Sequence, residues 1–506
     1  MEDLWAVQKD EDVETITVFK KEDVYILISS VLLGVLFNIL FYNKPLGISY
    51  PFFVIVFYIA FLWNLRQKIS FRFNFGWFLT LPIIALSSTY LIFSNQVFAA
   101  LNFLMIPILI IAQTILINEQ NNHKWYDARF IKDIFYGIFN RAFGYTSRPF
   151  VVGLDAMRIR KSHGKYDVIK KVFIGLAISI PLLLIIIALL SSADSVFKHF
   201  IDEISNSFGN INIGDFLLQG ITALFITMIV FSYLWSFSNS DNSLESRLQE
   251  SLETNNISCD PIISITILSV INCVYVAFTI IQFAYMFGSV NNALPQDFTY
   301  AEYARRGFFE LLVVTLINFS LLLSSIRFTQ RGGKLVARTV RILHSLLILC
   351  TVVILLSAYF RMSLYEAAYG YTYLRVLTHS FMIFLCVLFL IAFYKIWNER
   401  ISLLKPYIVI TLTAYMIINF ADIDVLIAKN NVDRYAETGK LDTDYFRNLS
   451  YDSIPVLANL LNDENVATDL KKYLVEQHEE LSKKQSWQSF NLSKNKARQV
   501  LARSGL

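Results

Sequence analysis

The sequence predicts an all-α fold, a polytopic bundle of about eleven transmembrane helices with a small C-terminal helical appendage. Two observations predict it. Of 506 residues, 55% are hydrophobic and only 17% are charged, whereas soluble chains have about 45–50% and about 25%. Apolar stretches long enough to cross a bilayer also recur along the chain. A soluble core cannot bury this much apolar surface, so lipid must cover it.

The predicted spans follow from apolar length alone, because a bilayer core is crossed by about 20 helical residues. They are Val24–Phe41, Leu46–Asn64, Phe75–Phe93, Val97–Ile117, Val172–Leu190, Phe216–Trp235, Pro261–Gly288, Phe308–Ile326, Val336–Ala358, Tyr373–Trp397 and Leu404–Phe420. They divide the chain into an N-terminal cytoplasmic segment (1–23), a four-helix membrane region (24–117), a basic cytoplasmic loop (118–171), a seven-helix membrane region (172–421) and a soluble helical segment (422–506).

The distribution of Lys and Arg predicts the orientation. With the N-terminus in the cytoplasm, the cytoplasmic segments hold 25 of these residues and the external loops hold 5. This asymmetry follows the positive-inside rule, so the C-terminus is expected on the external side of the membrane. The bilayer is the expected main partner.

Two polar segments are candidate surfaces for a protein partner. In the basic loop, apolar residues recur at helical spacing at Phe130, Ile134 and Ile138. A helix here would lie in the membrane interface, with Lys132 and Arg141 at headgroups, or pack against the bundle. In the C-terminal segment, helical patterns predict helices over Ala467–Leu481 and Lys494–Leu501, after a shorter one beginning near Pro455.

Common catalytic and cofactor signatures are absent. The sequence has no phosphate loop, zinc helix, nucleophile elbow or dinucleotide-binding turn, and its six histidines are scattered. We therefore expect no cofactor and no metal site. The net charge of +4 is small and gives no reason to expect nucleic acid binding.

The densest charge cluster precedes and enters the eighth span. Glu302, Arg305, Arg306 and Glu310 lie three and four residues apart, which places opposite charges on one helical face. This pattern is typical of an ion-pair ladder that locks helices together. It also suits an anion or substrate site, in which the arginines donate and Glu310 binds a proton or cation. Charge near a membrane is costly, so either interpretation requires partners.

A second cluster is expected in the external loop after the ninth span and at the start of the tenth. It contains Arg361, Tyr365, Glu366, Arg375 and His379. Tyrosines at this depth are typical of an interfacial aromatic belt, whereas arginine among tyrosines also suits phosphate or sugar recognition. Both clusters fall on the external side, so the sequence predicts that they form one external cleft.

Three polar residues within spans are interpreted structurally. His344 in the ninth span is expected to be a satisfied core histidine rather than a proton relay. Asn272 and Asn318 are expected to form hydrogen bonds between helices, as polar residues in membrane bundles commonly do.

Four segments resemble an uncharacterised bacterial multipass membrane family, domain of unknown function 4173. They are Ala301–Leu311, Arg361–Arg375, Asn419–Tyr435 and Leu449–Leu457. The resemblance covers roughly residues 190–506 and implies a bacterial inner-membrane protein. It implies no activity and transfers no catalytic residue.

The sequence leaves several functions open. A transport or envelope-sensing protein fits the many spans and paired charges, although the repeated halves of many transporters are not visible. The alternative is an intramembrane transferase that acts on lipid or cell-envelope substrates at the external cleft.

Overall fold

The computed structural model describes residues 21–66, 74–156, 213–239, 260–287, 308–329, 333–462 and 464–504, and six single positions between 186 and 197. Most of these residues are helical, and none of them lies in a β-strand. The predicted all-α class is therefore confirmed. The chain divides into two compact units, one of residues 1–43, 53–70 and 135–240, and one of residues 44–52, 71–134 and 241–506.

The helices are numbered in chain order. They are α1 (Lys21–Phe41), α2 (Ser49–Leu65), α3 (Phe75–Phe78), α4 (Thr80–Ile92), α5 (Gln96–Ile117), α6 (Phe130–Tyr136), α7 (Arg148–Ala156), α8 (Ile213–Ser238), α9 (Pro261–Phe287), α10 (Phe308–Phe328), α11 (Lys334–Tyr369), α12 (Tyr373–Trp397), α13 (Leu404–Phe420), α14 (Ile423–Thr438), α15 (Thr443–Phe446), α16 (Ile454–Leu457), α17 (Glu464–Ser482) and α18 (Leu492–Arg503).

The described part of the chain contains eight helices that are long and apolar enough to cross a membrane, or nine if α13 and α14 form one bent span. Ten of the eleven predicted spans coincide with helices; the predicted span 172–190 lies largely outside the described residues. The protein is therefore an integral membrane protein whose apolar helices contact lipid. α2 and α13 have 17 residues each.

In the first unit, α1 packs along α8 at a close approach. A Cβ added to Gly34 would lie 2.2 Å from Thr227 Oγ1 and 2.5 Å from the Ala223 carbonyl oxygen. Small residues allow helix backbones to approach in this way within membranes. Gly34 is therefore required for the packing of these two helices.

The predicted interfacial helix of the basic loop is short. Phe130–Tyr136 is α-helical and Gly137–Arg141 forms a π-helical turn. Phe135 and Phe139 are exposed and Lys132 is exposed, as an interface helix requires. The prediction that Arg141 reaches headgroups is wrong. Arg141 is 4% exposed and its guanidinium lies 4.4 Å from the Phe237 ring centroid, where a cation–π contact replaces solvent.

In the second unit, α9, α10, α11 and α12 share an apolar core that includes Leu268, Leu322, Leu347 and Phe389. Polar residues inside it join helices as expected. The Asn318 amide donates to Thr351 Oγ1 at 2.9 Å, and the Asn272 amide donates to the Leu343 carbonyl at 2.9 Å. His344 is buried with Nε2 at 2.8 Å from Ser325 Oγ.

α11 is much longer than its predicted span. It has 36 residues and ends at Tyr369, whereas the sequence analysis ended the span at Ala358 and placed residues 359–372 in a loop. Arg361, Tyr365 and Glu366 are therefore helical. Strong helix formers such as Leu364 and Ala367 continue the helix, and Gly370, at φ +84°, ends it.

The predicted C-terminal helical appendage packs against membrane helices. The two predicted helices are present as α17 and α18. Their core includes Ile427, Phe446, Leu474 and Leu501, and it also includes Phe98 of α5 and Val376 of α12. The buried apolar side chains thus join this segment to the ends of two transmembrane helices.

Candidate functional site

One end of the second unit gathers the C-terminal segment and three short interhelical links. The Ile48 amide donates to the Phe490 carbonyl at 3.0 Å. The Asn491 side chain donates to the Phe93 carbonyl at 2.7 Å. The Tyr371 amide donates to Asn431 Oδ1 at 2.8 Å. The links before α2, after α4 and after α11 therefore lie at the same end. We call the contacts made there by the C-terminal segment the junction.

Asp424, in the first turn of α14, is the centre of the junction. It is 1% exposed. Oδ2 accepts from the Asn95 amide at 2.6 Å and from Ser450 Oγ at 2.8 Å. Oδ1 accepts from the Tyr373 hydroxyl and from the Ser450 backbone amide at 3.1 Å. A buried carboxylate is stable only when donors of this kind replace water, and here they come from α12, the start of α5 and the C-terminal segment.

Asp452 shares one donor with Asp424. Its Oδ2 accepts from the Ser94 amide and Ser94 Oγ, both at 2.8 Å. Ser450 Oγ lies 2.7 Å from the same oxygen, as well as 2.8 Å from Asp424 Oδ2. A hydroxyl carries one hydrogen and donates to one acceptor at a time. The Ser450 hydroxyl therefore cannot donate to both carboxyl groups at once.

Asp422 completes a group of three carboxyls around a small cavity. Asp422 adopts a left-handed backbone conformation, with φ +46°, and caps α14 through its contact with the Val425 amide. Burial and the neighbouring Asp452 raise the pKa of Asp422 to about 6. The cavity has a volume of about 20 Å³, which is enough for about one water molecule. Its lining includes Asn95, Asn419, Asp422, Asp424 and Asp452.

A second polar layer lies deeper among the membrane helices. Asn102 follows Asn95 by seven residues, or about two turns of α5. It is fully buried and donates to Thr89 Oγ1 at 3.0 Å and to Asn419 Oδ1 at 2.7 Å. Its Oδ1 accepts from the Tyr415 hydroxyl at 2.7 Å. α4, α5 and α13 are therefore tied together directly below the junction.

The first predicted charge cluster is only partly placed by the structure. Glu302, Arg305 and Arg306 lie outside the described residues. Glu310 is exposed in the first turn of α10. The predicted ion-pair ladder and the predicted single cleft of both clusters therefore stay predictions.

The second predicted cluster is brought together by α11 and α12. His379 Nδ1 lies 3.0 Å from Glu366 Oε2. The Arg375 guanidinium lies 4.2 Å from the Tyr365 ring centroid and donates to the Gly370 carbonyl. Tyr365 also contacts Tyr369, with ring centroids 4.9 Å apart. Arg361, four residues before Tyr365, lies on the same helix.

The sequence analysis did not identify the junction residues as a site. Asp422, Asp424 and Asp452 were included only in segments that resemble a family. Asn95 and Ser94 stand in a three-residue link that had no distinguishing pattern. One signal was available: Asp422 and Asp424 lie two and four residues after the apolar helix that ends at Phe420, where an unpaired carboxylate is costly.

The site contains no recognisable metal centre. No three His, Cys, Asp or Glu side chains are grouped so as to hold a metal ion in the part of the chain that the structure describes. The junction carboxyls are instead held by amide, hydroxyl and phenol donors.

Comparison with protein families shows which family this chain belongs to. The family described as Domain of unknown function (DUF4153) matches residues 80–460, three quarters of the chain. An uncharacterised family is thus confirmed, but it is not the family numbered 4173 that the sequence resembled. The matched range includes the residues around Asp424, from Ser94 to Asp452, but not Ile48, Phe490 and Asn491 of the junction. No curated protein and no solved structure matches the chain.

Proposed function

Since this chain belongs to the DUF4153 family, whose function is unknown, we propose its role from its own residues: it is an envelope-sensing membrane protein. The C-terminal segment is the sensory part, and the junction transmits its state to the membrane helices. The observation that carries the proposal is the position of Asp424. One buried carboxylate binds the segment's own Ser450 and the ends of two membrane helices, through Asn95 and Tyr373.

The small size of the junction cavity supports sensing over transport. A cavity of about 20 Å³ holds about one water molecule and offers no passage to a solute. The second polar layer favours transmission of a structural change from the junction into the membrane helices. Asn102 is hydrogen-bonded across α4, α5 and α13, so a displacement of α5 at the junction must either break these hydrogen bonds or move the other two helices.

The distribution of charge supports the orientation that we propose. We place the junction on the external side of the membrane, because the loops at the opposite end carry most of the Lys and Arg. Those loops include residues 118–132 and 398–405, where Lys405 lies 4.2 Å from the Tyr126 ring centroid. The sensory segment then faces the envelope, and the basic loop is the surface for a cytoplasmic partner.

Hydrogen–deuterium exchange in lipid nanodiscs tests this role. Leu474 is fully buried in the core of the C-terminal segment, so Leu474→Ala perturbs that segment without removing any hydrogen bond of the junction. We expect faster exchange in residues 93–98 and 370–378 at the junction, and also in residues 398–405 at the opposite end. Asp424→Asn, which breaks the transmitting contacts, should alter the same membrane peptides.

The matched control is Asp433→Asn, which removes an exposed carboxylate from the same helix and should change none of these peptides. Changes confined to the C-terminal segment in Leu474→Ala would show that it is a passive appendage. That outcome would refute the sensing role.

A further inference from the structure

Glu366 is a buried carboxyl outside the junction. It is 3% exposed, on the last turn of α11. Oε2 faces His379 Nδ1 at 3.0 Å, while Oε1 is buried and has no hydrogen-bond partner. An unpaired buried oxygen of this kind is uncommon and costly. A purely structural ion pair would be expected to satisfy both oxygens, so the pair has a feature that stability does not explain.

His379 has an acceptor at both ring nitrogens. Nδ1 faces the Glu366 carboxyl, and Nε2 faces the Tyr359 carbonyl oxygen at 3.2 Å. The other atom near Nε2 is Ser363 Oγ at 3.5 Å. The hydrogen of that hydroxyl is directed to the Tyr359 carbonyl at 3.1 Å, so towards His379 the serine oxygen also presents a lone pair.

A neutral imidazole carries one N–H and cannot donate in both directions. If the hydrogen is on Nδ1, the Nε2 lone pair faces a carbonyl oxygen. If it is on Nε2, the Nδ1 lone pair faces a carboxylate. Both conflicts disappear when the pair holds one additional proton. We propose that Glu366 and His379 form a proton-binding site, in which an imidazolium lies against the buried carboxylate.

Neighbouring aromatic and charged groups determine the electrostatic environment of the Glu366–His379 pair. The Tyr359 ring packs on the imidazole at a centroid distance of 4.3 Å. Burial and the charge of Glu366 raise the pKa of Tyr371, which faces the pair from the link after α11. Arg375 lies one turn before His379 on α12, and Arg434 of α14 lies against Gly370.

The other packed helices add little charge. α9 contains no Asp, Glu, Lys, Arg or His; α10 contains only Glu310 and Arg327, and α13 only Lys405. The pair thus has Arg375 and Arg434 at its outer end and Arg361 five residues before Glu366 on α11. The proton can exchange through His379, whose side chain is 13% exposed, whereas the Glu366 side chain behind it is 4% exposed.

The proton-binding site is inferred from the contacts of Glu366 and His379 and does not require the proposed sensing role. If the protein also senses the envelope, the proton is one stimulus that it detects. The pair connects α11 to α12 at the junction end, so loss of the proton would remove the charge attraction that holds these helices together. Envelope pH would then change the packing next to Tyr373 and Asp424.

Nitrogen NMR of histidine-labelled protein tests the site directly, because protonation of each ring nitrogen is visible in its chemical shift. The chain has six histidines. At neutral pH we expect an imidazolium signal from His379, identified by its loss in His379→Gln. In Glu366→Gln the same ring should become a neutral tautomer, because the amide can donate to Nδ1 but supplies no compensating charge.

His344→Gln is the matched control, since His344 is a buried histidine bound to a serine, and it should leave the imidazolium signal unchanged. If His379→Gln does not fold, the Glu366→Gln spectrum decides alone. A neutral His379 in the parent protein at neutral pH, or an unchanged imidazolium in Glu366→Gln, would overturn the proposal. Either result leaves the exchange experiment on the junction unaffected.

Discussion

Asp424 and Glu366 are both buried carboxyls near the same end of the helix bundle, but they are bound very differently. Asp424 accepts four hydrogen bonds from amide, hydroxyl and phenol groups. Glu366 has one titratable partner, His379, and one oxygen without a partner. Donors that do not titrate near neutral pH stabilise a carboxylate at any pH in that range, whereas a histidine stabilises it by charge only while protonated. The contacts of Asp424 are therefore permanent near neutral pH, and the contact of Glu366 depends on the protonation of His379.

The largest expected effect comes from removing each charge in turn. Asp424→Asn places an NH₂ group where donors converge and leaves buried donors unpaired, at about 1–3 kcal/mol for each. We expect the midpoint of thermal unfolding in detergent to fall by many degrees. Glu366→Gln should cost about 1 kcal/mol or less, because it disturbs one contact. Equal losses of stability in the two variants would contradict this distinction between permanent and protonation-dependent contacts.

A smaller effect is expected at Gly370, which lies between the two carboxyls. A Cβ there would approach Asn431 Oδ1 to 2.6 Å, at a backbone φ of +84°. Asn431 binds both the amide and the carbonyl of Tyr371, so Gly370→Ala disturbs the link into α12. We expect a loss of about 2–3 kcal/mol, measured by denaturant unfolding.

Gly439→Ala is the control for that substitution. Its φ is also positive, at +66°, but no atom lies within 4 Å of the added Cβ. Gly439→Ala should therefore cost only the backbone strain of a non-glycine residue at positive φ, about 1 kcal/mol. If the two alanine variants are equally unstable, contact with Asn431 is not what makes Gly370 necessary.

The smallest effect is a pH dependence at Asp422. Its pKa is raised to about 6 by burial and Asp452, so the folded state binds the proton more tightly than the unfolded state. This contribution is fully present below the unfolded pKa and is lost as the pH rises from about 4 to about 6. Two pKa units correspond to nearly 3 kcal/mol, and partial exposure reduces this to about 1 kcal/mol.

The measurement compares unfolding midpoints of the parent protein and Asp422→Asn across that pH range. Asparagine keeps the cap and tolerates the left-handed conformation, so only the titration is removed. The parent should lose stability with rising pH relative to the variant. A parallel pH dependence in both would show that Asp422 does not titrate in this range.

Membrane helices were predictable because they depend on apolar length, a local property. The segments for α5, α9 and α12 agree with the structure to within a few residues. The end of α11 was missed because the sequence analysis assumed that a helix ends where its apolar run ends. Leu364 to Tyr369 remain helical because helix propensity and packing against α12 do not require lipid.

The site was less predictable because it depends on contacts between distant parts of the chain. Glu366 and His379 were both identified as candidates, but their pairing requires α11 and α12 to pack side by side. Asn95 and Asp424 are 329 residues apart. No spacing rule connects them, and no sequence pattern distinguishes their partners Tyr373, at the start of α12, and Ser450, in the link before α16.

The length of α11 has a mechanical consequence. At 1.5 Å per residue, its 36 residues form a rod of about 54 Å, against a hydrocarbon core of about 30 Å. A tilt of about 5° pivoting at one end would sweep the other end through about 5 Å, roughly one helical turn. If α11 pivots near His379, the loss of a single proton there would displace mainly the other end of the helix, on the far side of the membrane.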